Sequence, residues 1–288
     1  MNGFKLWFRI IRPQTLFASL VPVLVGVIAV KYSGTSLHAD HPFFVSIVTA
    51  VCALSLQILS NLINDYYDFV RGTDKAGRAG FKRALAEGEV TERQMLKAIS
   101  IDFAVVAVTG FYLVWSGRLP ILLIGGSAIL FAWLYTATSH SLSYLGIADI
   151  FVFLYYGVVA SAGTAYLLTH TFVPTAFHTG AVCGLISMCV LMINNLRDIE
   201  EDRTAGKKTP PVRFGKRAAE IMMLLEVLLM PVFAYFAFGL SFPMLVLVPA
   251  MLVYIAVLKA HGMEYNKLLL KTGLTNVVYL FLCLTVLL

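Results

Sequence analysis

Nine stretches of this chain are apolar enough to cross a lipid bilayer, and nothing else in the sequence limits its folding as tightly. They fall at 13–31, 43–64, 96–115, 119–136, 148–168, 175–197, 218–238, 242–259 and 270–288. Runs of roughly 17 to 25 residues match the ~30 Å hydrocarbon layer when coiled as helices. Peptide N–H and C=O groups find no water inside that layer, so each run must satisfy them internally. Only 13% of the 288 residues are charged and mean hydropathy is +0.82, whereas soluble domains carry roughly 25% charged residues. The expected fold class is all-α, a polytopic membrane protein of nine transmembrane helices. The first run is flanked by Arg9, Arg12 and Pro13 and continues past a plausible cleavage region, so it is expected to remain as a helix.

Basic residues set the orientation. All but Lys31 and Arg118 of the 22 Lys and Arg lie in the amino-terminal segment or in alternate loops, and the positive-inside rule makes that face cytoplasmic. An odd number of crossings then puts the carboxyl terminus on the opposite side. The net charge of +6 therefore reports topology; the lipid bilayer is the expected partner and nucleic acid is not. Cys52, Cys183, Cys189 and Cys283 stand singly in apolar runs, and the six histidines form no i,i+4 pair. Neither residue type has the spacing of a zinc site, and the cysteines read as packing residues.

Two acidic stretches break the apolar pattern. In Asn61-Leu-Ile-Asn64-Asp65-Tyr-Tyr-Asp68, at the end of the second run, Gln57, Asn61, Asn64/Asp65 and Asp68 recur at three- and four-residue steps and make one polar helical stripe. In Asn194-Asn195-Leu-Arg197-Asp198-Ile-Glu-Glu-Asp202, at the end of the sixth run, Asn194, Asp198 and Asp202 lie one turn apart. Each is followed by a loop of glycines and cations: Arg71, Arg78, Lys82 and Arg83 after the first, Lys207 and Lys208 after the second. The repetition resembles an internal duplication.

Four carboxylates at one membrane face repel one another unless cations neutralise them. Magnesium suits them, because it binds through one or two carboxylates and completes its shell with water and phosphate oxygens. Acids beside basic, glycine-containing loops thus point to Mg2+ and a lipid diphosphate, whose carbon–oxygen bond would break as metal and cations stabilise the departing group. Faces of Tyr66, Tyr67, Tyr155 or Tyr156 are candidates to stabilise an allylic cation.

Other polar positions carry less. Trp7, Phe8, Arg9 and Arg12-Pro13 read as an interfacial anchor opening a helix at Pro13. Thr91 and Gln94 fit a capping box. Asp102 and Glu226 lie at membrane depth without a second polar residue on their helical face, and Asp149 suits the positive end of a helix dipole; none of the three is assigned to the site.

Taken together, the Asn64-Asp65-Tyr-Tyr-Asp68 and Asp198-Ile-Glu-Glu-Asp202 motifs resemble those of the UbiA-type intramembrane prenyltransferases. Arg12-Pro13-Gln-Thr15-Leu16, Tyr144-Leu-Gly146-Ile-Ala-Asp149 and the run to Lys207-Lys208-Thr209 are similar to the menaquinone branch of that family. The chain departs from the pattern at Phe17, at Ala137-Thr138-Ser139 and at Pro210-Pro211. The resemblance implies a single domain over 1–288, built as a bundle around a central cavity capped by two cytoplasmic loops. It implies that Asp65, Asp68, Asp198 and Asp202 are catalytic and hold magnesium. Asn61, Asn64, Arg78, Lys82, Arg83, Asn194, Arg197 and Lys207 would bind the prenyl diphosphate. The implied reaction moves a polyprenyl group from polyprenyl diphosphate to 1,4-dihydroxy-2-naphthoate, releasing diphosphate and CO2 and giving demethylmenaquinol in the inner membrane of the cell. Two alternatives stay open: another aromatic acceptor, such as 4-hydroxybenzoate or homogentisate, and a membrane cation transporter using the same acids as an ion path.

Overall fold

The computed structural model describes residues 3–72, 83–136 and 146–288. Among these every regular element is helical: α1 Gly3–Ile10, α2 Pro13–Ser33, α3 Pro42–Val70, α4 Glu92–Thr136, α5 Ala148–Thr169, α6 Pro174–Arg197, α7 Ile199–Thr204, α8 Pro210–Phe214, α9 Lys216–Phe238, α10 Phe242–Lys259 and α11 Glu264–Leu284. Prolines open α2, α3, α6 and α8 at the first turn, where a helix has no use for the missing N–H. Gly34, at φ +66°, closes α2 with its N–H on the carbonyl of Lys31.

Eight helices among the described residues are long and apolar enough to span a bilayer. The third, Glu92–Phe131, has 40 residues and would reach about 60 Å, roughly twice the hydrocarbon thickness. It is interrupted at Arg118, where φ is 57° and ψ −148°. Beside that break a Cβ on Gly117 would collide with Ile121, so the bend requires glycine there. Leu113 and Ile121, on either side of it, pack in one cluster with Ala165 and Leu167. The sequence-based count of nine runs divides at this point, whereas the structure carries one helix broken at Arg118.

α6 is the axis of the bundle. Its apolar window is 72% buried, against 11% for that of α4, and it packs on α2, α5, α9 and α11. Small residues allow the closest approach: a Cβ at Gly157 would lie 2.5 Å from the Gly180 carbonyl, and one at Gly184 2.5 Å from that of Phe153. α5 carries a π-helical stretch, Leu154–Val158, at this contact, a local widening of the kind found at functional positions. On the other face Ile186, Cys189 and Ile193 pack with Met223, Val227 and Met230 of α9. All four cysteines are buried and free, as expected of packing residues.

Candidate active site

A cavity of about 750 Å³ lies among α2, α3, α4, α5 and α6. Much of its wall is apolar, with Val23, Leu56, Ile124, Phe131, Val152 and Leu167 among the lining residues. Its charged residues come chiefly from the carboxyl ends of α3 and α6 and the segments that follow them.

The first motif stays helical, because α3 continues through it to Val70. Gln57, Asn61, Asn64 and Asp68 therefore face the cavity together. Asp65 is 4% exposed and its Oδ1 accepts from the guanidinium groups of both Arg12 and Arg83. A carboxylate so enclosed would be costly to ionise without such partners. Arg12 sits in the elbow between α1 and α2 with φ 52°. That elbow is tied to α3 through Asn61, whose Nδ2 donates to Thr15 Oγ1 at 3.0 Å and to the Ile11 carbonyl at 3.2 Å. Gln57 Nε2 in turn donates to Asn61 Oδ1 at 3.2 Å.

The second motif is not one uninterrupted helix. α6 ends at Arg197, Asp198 takes φ −101° and ψ 18°, and α7 begins at Ile199. The helical hydrogen bonds nevertheless carry across, from Asp198 N to Asn194 O at 3.0 Å and from Asp202 N to Asp198 O at 2.8 Å. Asn194, Asp198 and Asp202 thus keep one wall, as their spacing predicted. Arg197 grips both oxygens of Asp198, Nε to Oδ1 at 2.6 Å and Nη2 to Oδ2 at 2.7 Å, and its Nη1 reaches Asn266 Oδ1 of α11 at 2.7 Å. Lys207 Nζ lies 3.1 Å from Asp202 Oδ1. Each acidic motif therefore comes with its own counter-charges, drawn from other elements in the first and mostly from its own sequence neighbours in the second.

A model of the UbiA prenyltransferase family matches residues 19–272, a range that includes both acidic motifs. The chain belongs to that family. It is accordingly a membrane-embedded prenyltransferase with multiple membrane-spanning helices. The 1,4-dihydroxy-2-naphthoate octaprenyltransferase of Escherichia coli (strain K12) is 36% identical over 216 residues, covering 73% of this chain and 68% of that protein. Among solved structures, a UbiA homologue from Aeropyrum pernix K1 superimposes with a TM-score of 0.72 at 18% identity, over 94% of this chain and 98% of the other. A UbiA homologue from Archaeoglobus fulgidus bound to GPP and Mg2+ gives 0.61 at 17% identity, over 97% and 98%. With a UbiA prenyltransferase established, the transporter reading of the acids is not favoured.

Of the residues singled out in the sequence, Asn61, Asn64, Asp68, Arg83, Asn194, Arg197, Asp198, Asp202 and Lys207 line this one UbiA cavity, with Asp65 held against it by Arg12 and Arg83. Arg78, Lys82 and the Ala137-Thr138-Ser139 loop lie outside the described residues. Tyr155 and Tyr156 line the cavity; Tyr66 and Tyr67 pack against apolar clusters instead. Among the described residues no three His, Cys, Asp or Glu side chains converge to hold one ion. The donors available are oxygens of separate carboxylates and amides. Sequence reasoning missed Arg12, Asn195 and Asp149, all of which line the cavity. Arg12 carried a signal in the Arg-Pro-Gln-Thr similarity, but its charge was already accounted for by topology.

Proposed function

We propose that this chain transfers a polyprenyl group from polyprenyl diphosphate to 1,4-dihydroxy-2-naphthoate, with release of diphosphate and CO2 and formation of demethylmenaquinol. The observation that carries this reading is that both acidic motifs, with their cations, border a single cavity whose remaining wall is largely apolar. A diphosphate fits the charged end and a polyprenyl tail fits the rest. The acceptor is taken from the relative in E. coli, named for dihydroxynaphthoate.

Asp65, Asp68, Asp198 and Asp202 would hold magnesium, as carboxylates separated on two helix ends suit an ion that uses one or two of them and takes substrate oxygens for the rest. The all-oxygen donor set fits such a hard cation, and the A. fulgidus homologue binds GPP together with Mg2+. When bound, magnesium supplies positive charge to the diphosphate oxygens. Arg12, Arg83, Arg197 and Lys207 act on the same oxygens: in an apolar surround their fixed charges favour the state in which negative charge has moved onto the leaving group. Asn64 and Asn194 orient the head group, and Arg78 and Lys82 are assigned to the same diphosphate from the sequence resemblance. Tyr155 and Tyr156 offer ring faces to the cationic carbon. The low-dielectric wall excludes water that would otherwise capture it.

The protein works as one domain, 1–288, in the inner membrane, with its amino terminus and both motifs cytoplasmic. Crossing twice about Arg118, α4 brings the total to nine and puts the carboxyl terminus on the far side. The test is purified protein in vesicles with Mg2+, a polyprenyl diphosphate and a panel of 1,4-dihydroxy-2-naphthoate, 4-hydroxybenzoate and homogentisate. Prenylated product from the naphthoate with CO2 released in equal amount is expected. Turnover of another acceptor in its place overturns the acceptor assignment.

A further inference from the structure

A second polar wall of the cavity is not used by the acidic motifs. Asp149, Ser187 and Thr209 line the cavity and are 9%, 5% and 6% exposed. Each has a buried oxygen without a hydrogen-bond partner: Asp149 Oδ1, Ser187 Oγ and Thr209 Oγ1. Buried polar atoms are nearly always paired in native proteins, so these three orphans on the α5 and α6 side of the cavity, with Gln57 Oε1 a fourth on α3, mark a place where a polar guest belongs. The positive end of α5 accounts for a negative charge at Asp149. It does not account for an oxygen left without a donor while two hydroxyls lining the same cavity are also unpaired.

The helices bring the three into one column. Gly146, at φ +72°, is packed so closely on the carbonyl of Lys208 that a Cβ there would collide with it, which sets the chain before Thr209 against the chain before α5. Further in, the Phe153 carbonyl meets Gly184. One turn back from Phe153 is Asp149, and one turn on from Gly184 is Met188, the neighbour of Ser187 in these antiparallel helices. Asn194 stands six residues along α6 from Met188, about 9 Å nearer the acidic motif. The column therefore begins just beneath the carboxylates and runs toward the apolar depth.

We propose that this wall is the acceptor subsite, in which Asp149 accepts a hydrogen bond from a ring hydroxyl of a phenolic acid and Ser187 and Thr209 serve its other oxygens. It rests on the reading of the chain as an aromatic prenyltransferase and says how that acceptor is turned. Among the described residues no cation is paired to Asp149, so the carboxylate of the acceptor turns instead toward the guanidinium groups of Arg12, Arg83 and Arg197 on the same cavity. The two ends of the ring are thus sorted, and its face meets the prenyl carbon between them. An acceptor without the hydroxyl would leave Asp149 buried and unpaired, the situation that makes sites built around a substrate hydroxyl selective.

The experiment uses the full chain in vesicles with Mg2+. Asp149→Asn is expected to raise the KM of the aromatic acceptor by roughly tenfold or more, as for a lost hydrogen bond to a charged group, while the KM of the prenyl diphosphate stays within about twofold. Thr209→Val should move the acceptor KM the same way by a smaller factor. One of the acceptor's mono-O-methyl ethers should be a much poorer substrate for the unmodified protein, and methylation at that position should cost Asp149→Asn far less. Unchanged binding of an unreactive prenyl thiodiphosphate reports an intact site; if Asp149→Asn fails this check, Thr209→Val and the ethers decide. An acceptor KM unmoved by the substitutions, both KM values rising together, or equal methylation costs overturns the subsite. If the unmodified protein prefers a different aromatic acid, the naphthoate assignment fails while the same KM comparison on that acid judges the subsite; no aromatic turnover at all sinks both.

Discussion

Asp65 shares its carboxylate between two guanidinium groups that come from opposite sides of it in the sequence, Arg12 and Arg83. Such charge-assisted bonds in a poorly hydrated pocket hold both partners in place. Asp65→Ala and Asp198→Ala should each lower prenyl transfer by at least about 100-fold, with protein still inserted and monodisperse in detergent; turnover near the original rate in either would remove the carboxylates from the mechanism. Arg12→Ala should raise the KM for prenyl diphosphate by roughly 10- to 100-fold, the loss expected for a hydrogen bond to a charged group. Arg12→Lys should recover only part, because an ammonium cannot reproduce the guanidinium fork. The four acids were legible in the sequence because ionisable groups at a membrane edge are costly and rarely idle. Arg12 was not: positive-inside bias already explained its charge, and its partner stands 53 residues away. Asp149 was set aside for a similar reason, since a helix dipole sufficed for it until its unpartnered oxygen was seen.

Helix boundaries followed the apolar runs wherever hydropathy and helix formation end together. α2, α5, α6 and α9 begin and end within a few residues of their runs. α3 extends to Val70 and α11 starts at Glu264, because polar residues paired to other elements remain helical where hydropathy has already fallen. The capping box is present: Gln94 N donates to Thr91 Oγ1 at 3.2 Å and Thr91 N to Gln94 Oε1 at 2.8 Å. Thr91→Ala should cost about 0.5–2 kcal/mol in reversible unfolding and leave kcat unchanged, since Thr91 is exposed and its hydroxyl bonds Gln94 within the cap. Gly184→Val should be much worse. Its side chain would enter the backbone of Phe153, and the folded yield in membranes should fall sharply, with the expected destabilisation about 3 kcal/mol or more. The turn at Arg118 was anticipated only as a gap between two runs; nothing in hydropathy reveals that its backbone takes a positive φ.

For the whole molecule the disposition across the bilayer is the first quantity to check. All four native cysteines are buried, so single cysteines placed on the surface can be read against a quiet background. Arg118→Cys should react with a membrane-impermeant maleimide added to whole cells, and Glu201→Cys only after the cytoplasmic face is opened; the reverse pattern would invert the proposed orientation. Chelation of divalent cations should abolish turnover and added Mg2+ should restore it, with the protein remaining folded throughout because its carboxylates retain Arg197, Lys207, Arg12 and Arg83 as partners. The central place of α6 has a consequence for how such an enzyme can change. One helix serves as both keel and tool: the face carrying Ser187, Val190 and Asn194 borders the cavity, and the opposite face locks into α9. Selections for a new acceptor or tail should therefore accumulate substitutions along α4 and the cavity side of α5, whose neighbours can yield, and should leave the α6 sequence almost untouched.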